Sequence, residues 1–88
     1  MEIDWDEEKD AVNRAKHGVG LGDAARVEWG KAKSYPDMRQ DYGELRQAAT
    51  APLNGRLHVC IFTMRGSTLR VISLRKANRR ERREYERD

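Results

Sequence analysis

The sequence predicts an α+β domain: two N-terminal helices, a three- to four-stranded antiparallel sheet and a C-terminal helix. Three observations predict it. The first third of the chain carries helix-end signals and helically spaced apolar residues. The middle holds a hairpin rich in β-branched residues. The last dozen residues are a charged run with opposite charges at i, i+4. Helices and strands segregated in this way argue for α+β rather than alternating α/β.

Glu2 to Trp5 reads as a short strand, with Ile3 and Trp5 on one face. Asp6 has the side chain of a helix N-cap. Glu7 and Glu8 follow in the first turn, where the helix dipole favours acids, and Lys16 and His17 fall in the last. Gly18 is placed as a C′ glycine, so the first helix runs over about residues 6–17. Leu21, Ala24, Ala25 and Trp29 form one apolar stripe at helical spacing, which predicts a second helix from Leu21 to near Gly30. Lys31 to Tyr35 is a strand candidate closed by Pro36-Asp37. Asp41 to Thr50 is another, although its alternation is poor. Pro52-Leu53-Asn54-Gly55 reads as a turn. Arg56 to Thr63 is the clearest strand, turned back by Arg65-Gly66-Ser67 into Thr68–Arg75. The final helix runs from about Ala77 to Arg87.

At 88 residues the chain reads as one domain, residues 1–88, with a thin core and little room for a deep cavity. A shallow site, or a core completed by a partner, is the expectation. The net charge of +3 is unevenly spread. Residues 1–30 balance at −4, residues 31–63 at +2 and residues 64–88 at +5. A basic end attracts phosphates; it is equally the signature of a solvated, ion-paired helix. The single cysteine, Cys60, excludes an internal disulfide and reads as a buried structural thiol. Two histidines and one cysteine, widely spaced, give no metal-site pattern, so no cofactor is expected. With no signal-peptide pattern and no apolar run near 18 residues, a soluble cytoplasmic protein is expected, without membrane contact.

The chemistry-bearing candidates cluster late. Arg65 lies at the hairpin turn, and Arg70 and Arg75 lie on the strand after it. Their odd separation predicts opposite faces of the sheet. Arg70 needs an anionic partner, either an internal carboxylate or a substrate phosphate. Glu44 and Arg46, two apart, share a strand face; they read as a base with a phosphate binder or as a salt bridge. His17 is a helix-end cap or a general acid/base. Arg65, and Arg79, Arg80 and Arg83 on the last helix, are candidates for contacting RNA. Arg80/Glu84 and Arg82/Glu86 are expected ion pairs. Tyr85 is a marginal further acid/base candidate.

Metal-independent RNA cleavage suits such a set. The 2′-hydroxyl attacks its own phosphate, so the protein supplies only a base, cations for the phosphorane and an acid for the leaving oxygen. The planar fork of arginine matches phosphate oxygens. His17, Glu44, Arg46, Arg65, Arg70 and Arg75 are the catalytic candidates. The competing expectation is a non-catalytic module that binds nucleic acid or protein through its basic last helix.

Several ordered segments resemble the BrnT family of type II toxins. They are Trp5-Asp6 with Lys9, Asn13 and Lys16-His17-Gly18-Val19; Asp41-Tyr42-Gly43-Glu44-Leu45-Arg46; Thr63-Met64-Arg65-Gly66 with Leu69 to Ala77; and Glu81-Arg82 with Tyr85. Leu21 and Glu28-Trp29 depart from phenylalanine-rich positions, and Gln47 to Pro52 replaces a stretch that usually closes on glycine. The resemblance implies a RelE-like fold and a toxic ribonuclease. It also implies a cognate antitoxin with a ribbon-helix-helix DNA-binding part, through which alone the complex meets operator DNA.

Overall fold

The computed structural model describes residues 1–39 and 41–87. Five strands form one mixed sheet: β1 (Glu2–Trp5), β2 (Lys33–Pro36), β3 (Gln47–Leu53), β4 (Arg56–Arg65) and β5 (Thr68–Lys76). Their order is β1-β5-β4-β3-β2. β1 runs parallel to β5, and all other neighbours are antiparallel. The α+β class therefore stands. The expected three- to four-stranded, purely antiparallel sheet is corrected to five strands with a parallel edge.

Helix α1 (Glu7–His17) has the ends read from the sequence. The Asp6 carboxylate accepts from the backbone N–H groups of Glu8 and Lys9 at 2.8 and 3.2 Å. Gly18 takes the left-handed conformation with φ 76°, which glycine adopts without a Cβ penalty. The second helix is not a continuous α-helix. Leu21–Arg26 and Trp29–Lys31 are two short 3-10 helices, with extended Val27 between them. Leu21 and Ala24 are both buried, because a repeat of three carries i, i+3 apolar residues on one side as well as an α-helix does. The exposure of Ala25 follows from the same change of period.

The 3-10 segments cover one face of the sheet. There Leu21, Ala24 and Val27 pack with Ala49, Leu53, Cys60, Phe62, Val71 and Leu74, and Trp29 meets Phe62 edge-on at 5.5 Å. Burial pushes the Cys60 thiol up to about 12, as expected of an inert structural thiol. Helix α1 docks differently. Its buried residues are Asp10 and Asn13, while Val12 is 64% exposed. The Asn13 amide donates to the Leu74 and Val19 carbonyls at 2.8 Å each and accepts from the Leu74 N–H at 3.1 Å. It thereby satisfies the edge of β5 where β1 has ended. Asp10 accepts from the Leu21 N–H at 2.7 Å and pairs with Arg14.

Helix α2 (Arg79–Glu86) begins at an Asn78/Glu81 capping box. It buries no residue and is held by polar staples. The Tyr85 hydroxyl donates to the Lys31 carbonyl at 2.7 Å, and Lys33 donates to the Tyr85 carbonyl at 2.6 Å. A smaller cluster of Ala48, Leu57, Val59, Ile61, Ile72 and Ala77 lies on this second face. Asp41–Arg46 is a loop, not the first half of a strand; Gly43 at φ 73° and an Asp41 side-chain turn onto the Gly43 N–H break the extended run.

Candidate functional site

A bulge sets the arginines of the late hairpin on one face of the sheet. Across the β4–β5 pairing, Ile61 faces Ser73 while Phe62 faces Val71, so Ile72 is an extra residue. Val71 and Leu74, three apart, consequently point into the same core. Arg70 is opposite Thr63, and Arg75 is opposite Val59. Thr63 and Val59 are four apart on β4, hence on one face. The expectation that Arg70 and Arg75 point to opposite faces is thus corrected: the bulge returns them to the same face, the one away from the 3-10 helices. Arg65, opposite Thr68, shares that face.

Arg46 reaches the same side from the loop before β3. It lies 4.0 Å from the Tyr42 ring centroid and 3.6 Å from Glu44. Glu44 also meets Arg65 at 3.4 Å, so one carboxylate serves two guanidinium groups. Glu44 and Arg46 do meet, but in a loop and not along a strand. Arg70 finds an internal carboxylate, Asp4 on β1, at 3.4 Å. Arg75 is gripped in bidentate fashion by Glu81, at 2.7 and 2.8 Å. That pair holds Glu81 below the usual carboxylate range, with burial opposing.

A knot at Asp37 shapes the loop; the sequence reading did not single it out. The Asp37 carboxylate accepts two bonds from Arg39, at 2.8 and 2.9 Å, and one from the Tyr42 hydroxyl at 3.2 Å. Its backbone N–H donates to the Arg46 carbonyl at 2.8 Å. The Arg39 side chain beside it holds the Asp37 carboxyl at about 2, against the opposing effect of burial. Asp37 thus presents Arg39 and Tyr42 to the arginine face. The available signal was Pro36-Asp37 followed by Arg39 and Tyr42, an ordinary turn composition.

His17 ends α1 and is partly buried. It lines a cleft of about 380 Å3 with Lys9, Val12, Lys16, Ile72 and Ser73. A neighbouring cleft holds Arg39, Tyr42, Arg46 and Ile61 and shares Ile72 and Ser73. The bulge residues therefore form a ridge between the histidine and the arginines. Burial, and then the charges of Lys16 and Arg75, lower the His17 pKa, favouring the neutral imidazole that can accept a proton.

The last helix contributes unevenly. Arg79 and Arg83 are exposed. Arg80 pairs with Glu84 at 3.3 Å and lines a third cleft, while Arg82 donates to the Ala77 carbonyl in place of the expected pairing with Glu86. Tyr85 is engaged with Lys31 and Lys33, away from the His17 cleft. His58, on β4, is buried with its Nδ1 2.8 Å from the Arg56 carbonyl oxygen. Among the described residues, no group of three His, Cys, Asp or Glu side chains is placed to hold a metal ion, and no helix is long and apolar enough to cross a membrane.

The profile of the ribonuclease toxin family BrnT, of type II toxin–antitoxin systems, matches residues 5–81. The chain belongs to the BrnT family. The match covers α1, all but the first residues of the sheet, and the first turn of α2. It confirms the resemblance drawn from the ordered segments. No curated relative matches the chain. BrnT membership carries a ribonuclease toxin's class of activity, with RNA as substrate and an antitoxin as partner. Within this BrnT chain, the arginine face and the His17 cleft are where the sequence candidates gather.

Proposed function

We propose that this BrnT chain is a metal-independent endoribonuclease that arrests growth and is neutralised by a ribbon-helix-helix antitoxin, whose complex with it meets operator DNA. The observation that carries the catalytic reading is that Arg65, Arg70 and Arg75 share one sheet face, while Arg46 reaches a cleft on that side that Ile72 and Ser73 separate from the His17 cleft. Neutral His17 takes the proton of a ribose 2′-hydroxyl. The oxygen attacks the adjacent phosphorus, and the bond to the 5′-oxygen breaks. That oxygen is protonated from solvent, leaving a 2′,3′-cyclic phosphate and a 5′-hydroxyl end. The arginines neutralise the equatorial oxygens of the phosphorane. Their carboxylate partners hold the guanidinium groups in place beforehand. Arg65 and Arg46 share Glu44, so this trio keeps a net positive charge for the phosphate. Glu44, facing both arginines, positions them for the phosphate.

The test is incubation of the purified protein with an oligoribonucleotide in EDTA. Wild type is expected to give cyclic-phosphate ends, and His17→Ala to be slower by about 10²–10⁴-fold. The wild-type rate should fall with acid through a pKa below 6.5, because protonation removes the base. Folded wild-type protein that leaves the RNA intact would overturn the reading.

A further inference from the structure

Tyr35 is an exposed aromatic side chain on the arginine face that the catalytic reading leaves unused; Tyr42, on the same face, is already held against Arg46 and Asp37. It stands on β2 opposite Ala48, whose side belongs to that face. Its side chain is substantially exposed, with the residue at 47%. It lines a cleft of about 470 Å3 together with buried Ala48, Val59 and Ile61 and with Arg39 and Arg80. The carboxylates Asp37 and Glu81, which pair with Arg39 and Arg75, line the same cleft. Edge-strand tyrosines are commonly covered by a neighbouring element; this one lies beside α2, which buries no residue of its own.

Both arginines retain donors. Arg39 engages Asp37 through Nε and Nη2, and Arg80 engages Glu84 through Nε. A guanidinium has five N–H groups, so each keeps some directed elsewhere. An exposed aromatic ring sharing a cleft with two partly committed arginines matches the composition of a single-strand nucleic-acid subsite: a base stacks on the ring and its flanking phosphates meet the cations. A duplex cannot use such a site, because its bases are already stacked on one another.

We propose that Tyr35 is the stacking platform for an unpaired nucleobase of the RNA, with Arg39 and Arg80 taking the adjoining phosphates. The proposal rests on the RNA-cleaving reading and adds to it a specificity: the chain selects unpaired RNA. The subsite lies along the same face as Arg75, so the strand that stacks here continues toward the arginines.

The experiment measures dissociation constants by fluorescence anisotropy with a fully 2′-O-methylated oligonucleotide, which cannot be cleaved. Tyr35→Phe keeps the ring and should bind within about twofold of wild type, whereas Tyr35→Ala should weaken single-strand binding about tenfold. Tyr35→Ala should leave the salt dependence and the affinity for blunt duplex RNA unchanged; Arg80→Ala should reduce the slope of log K against log salt by about one. Wild-type protein should likewise bind a wholly abasic strand of equal length about tenfold more weakly, a comparison that needs no variant to fold. The subsite is overturned if Tyr35→Ala binds as wild type does, if Tyr35→Phe falls as far as Tyr35→Ala, or if the abasic strand binds equally well. Wild-type protein that binds no RNA at all would overturn the ribonuclease reading together with this one.

Discussion

Asp37 shows how one side chain organises several others. Its carboxylate is 3% exposed and gathers Arg39 and Tyr42 within hydrogen-bonding reach. Tyr42 in turn lies against Arg46. Asp37→Asn removes the charge that Arg39 faces and should cost about 1.5–3 kcal/mol in denaturant unfolding. The acid dependence has a definite sign. The folded-state pKa of about 2 lies below the unfolded value of 3.8, so the contribution is present above 3.8 and is lost as pH falls through about 2. The Asn variant should lack that acid limb. An Asn variant as stable as wild type at neutral pH would contradict the role given to this group. His17 was legible as a residue because its position at a helix end and its intrinsic pKa are local properties. Asp37 was not, since its partners are assembled by a loop whose path no periodicity encodes.

Among the elements, α1 and β5 depart most from simple patterning. Helix α1 has strong ends but almost no apolar face, and it docks through Asn13 instead. Asn13→Ala would leave the Leu74 N–H and carbonyl and the Val19 carbonyl without this partner, at a cost of about 2–3 kcal/mol. Chemical denaturation measures this directly; a loss below about 0.5 kcal/mol, the level of an ordinary surface change, would mean that α1 is held by something else. The helix caps of α1 and the hairpin turn at Gly66 were readable because each is fixed by a few adjacent residues. The bulge at Ile72 was not. An extra residue in a strand leaves no mark on composition, and counting by twos across it put Arg70 and Arg75 on opposite faces. The same limit applies to Leu21–Lys31, where an i, i+3 stripe is shared by the α- and 3-10 helix.

Across the whole molecule, the sheet separates two tasks. One face is closed by the 3-10 helices over an apolar core. The other carries the arginines, partly covered by α2 and the loop from Asp37 to Arg46. The charge gradient along the chain, acidic at the start and basic at the end, pointed toward this arrangement without locating it. Strand order stayed hidden for a physical reason: β1 pairs in parallel with β5, more than sixty residues away, and long-range pairing is set by tertiary packing rather than by local pattern. The proposed RNA cleavage rests on the arginine face, not on basic charge in general. Single-turnover cleavage of one oligoribonucleotide tests it, comparing Arg46→Gln, Arg65→Gln, Arg70→Gln and Arg75→Gln with Arg26→Gln, whose arginine lies on the 3-10 helix of the opposite side. Each variant on the arginine face should lose about 10²–10³-fold in rate while Arg26→Gln stays near wild type. Equal losses in all five, or wild-type rates in the four, would contradict the account.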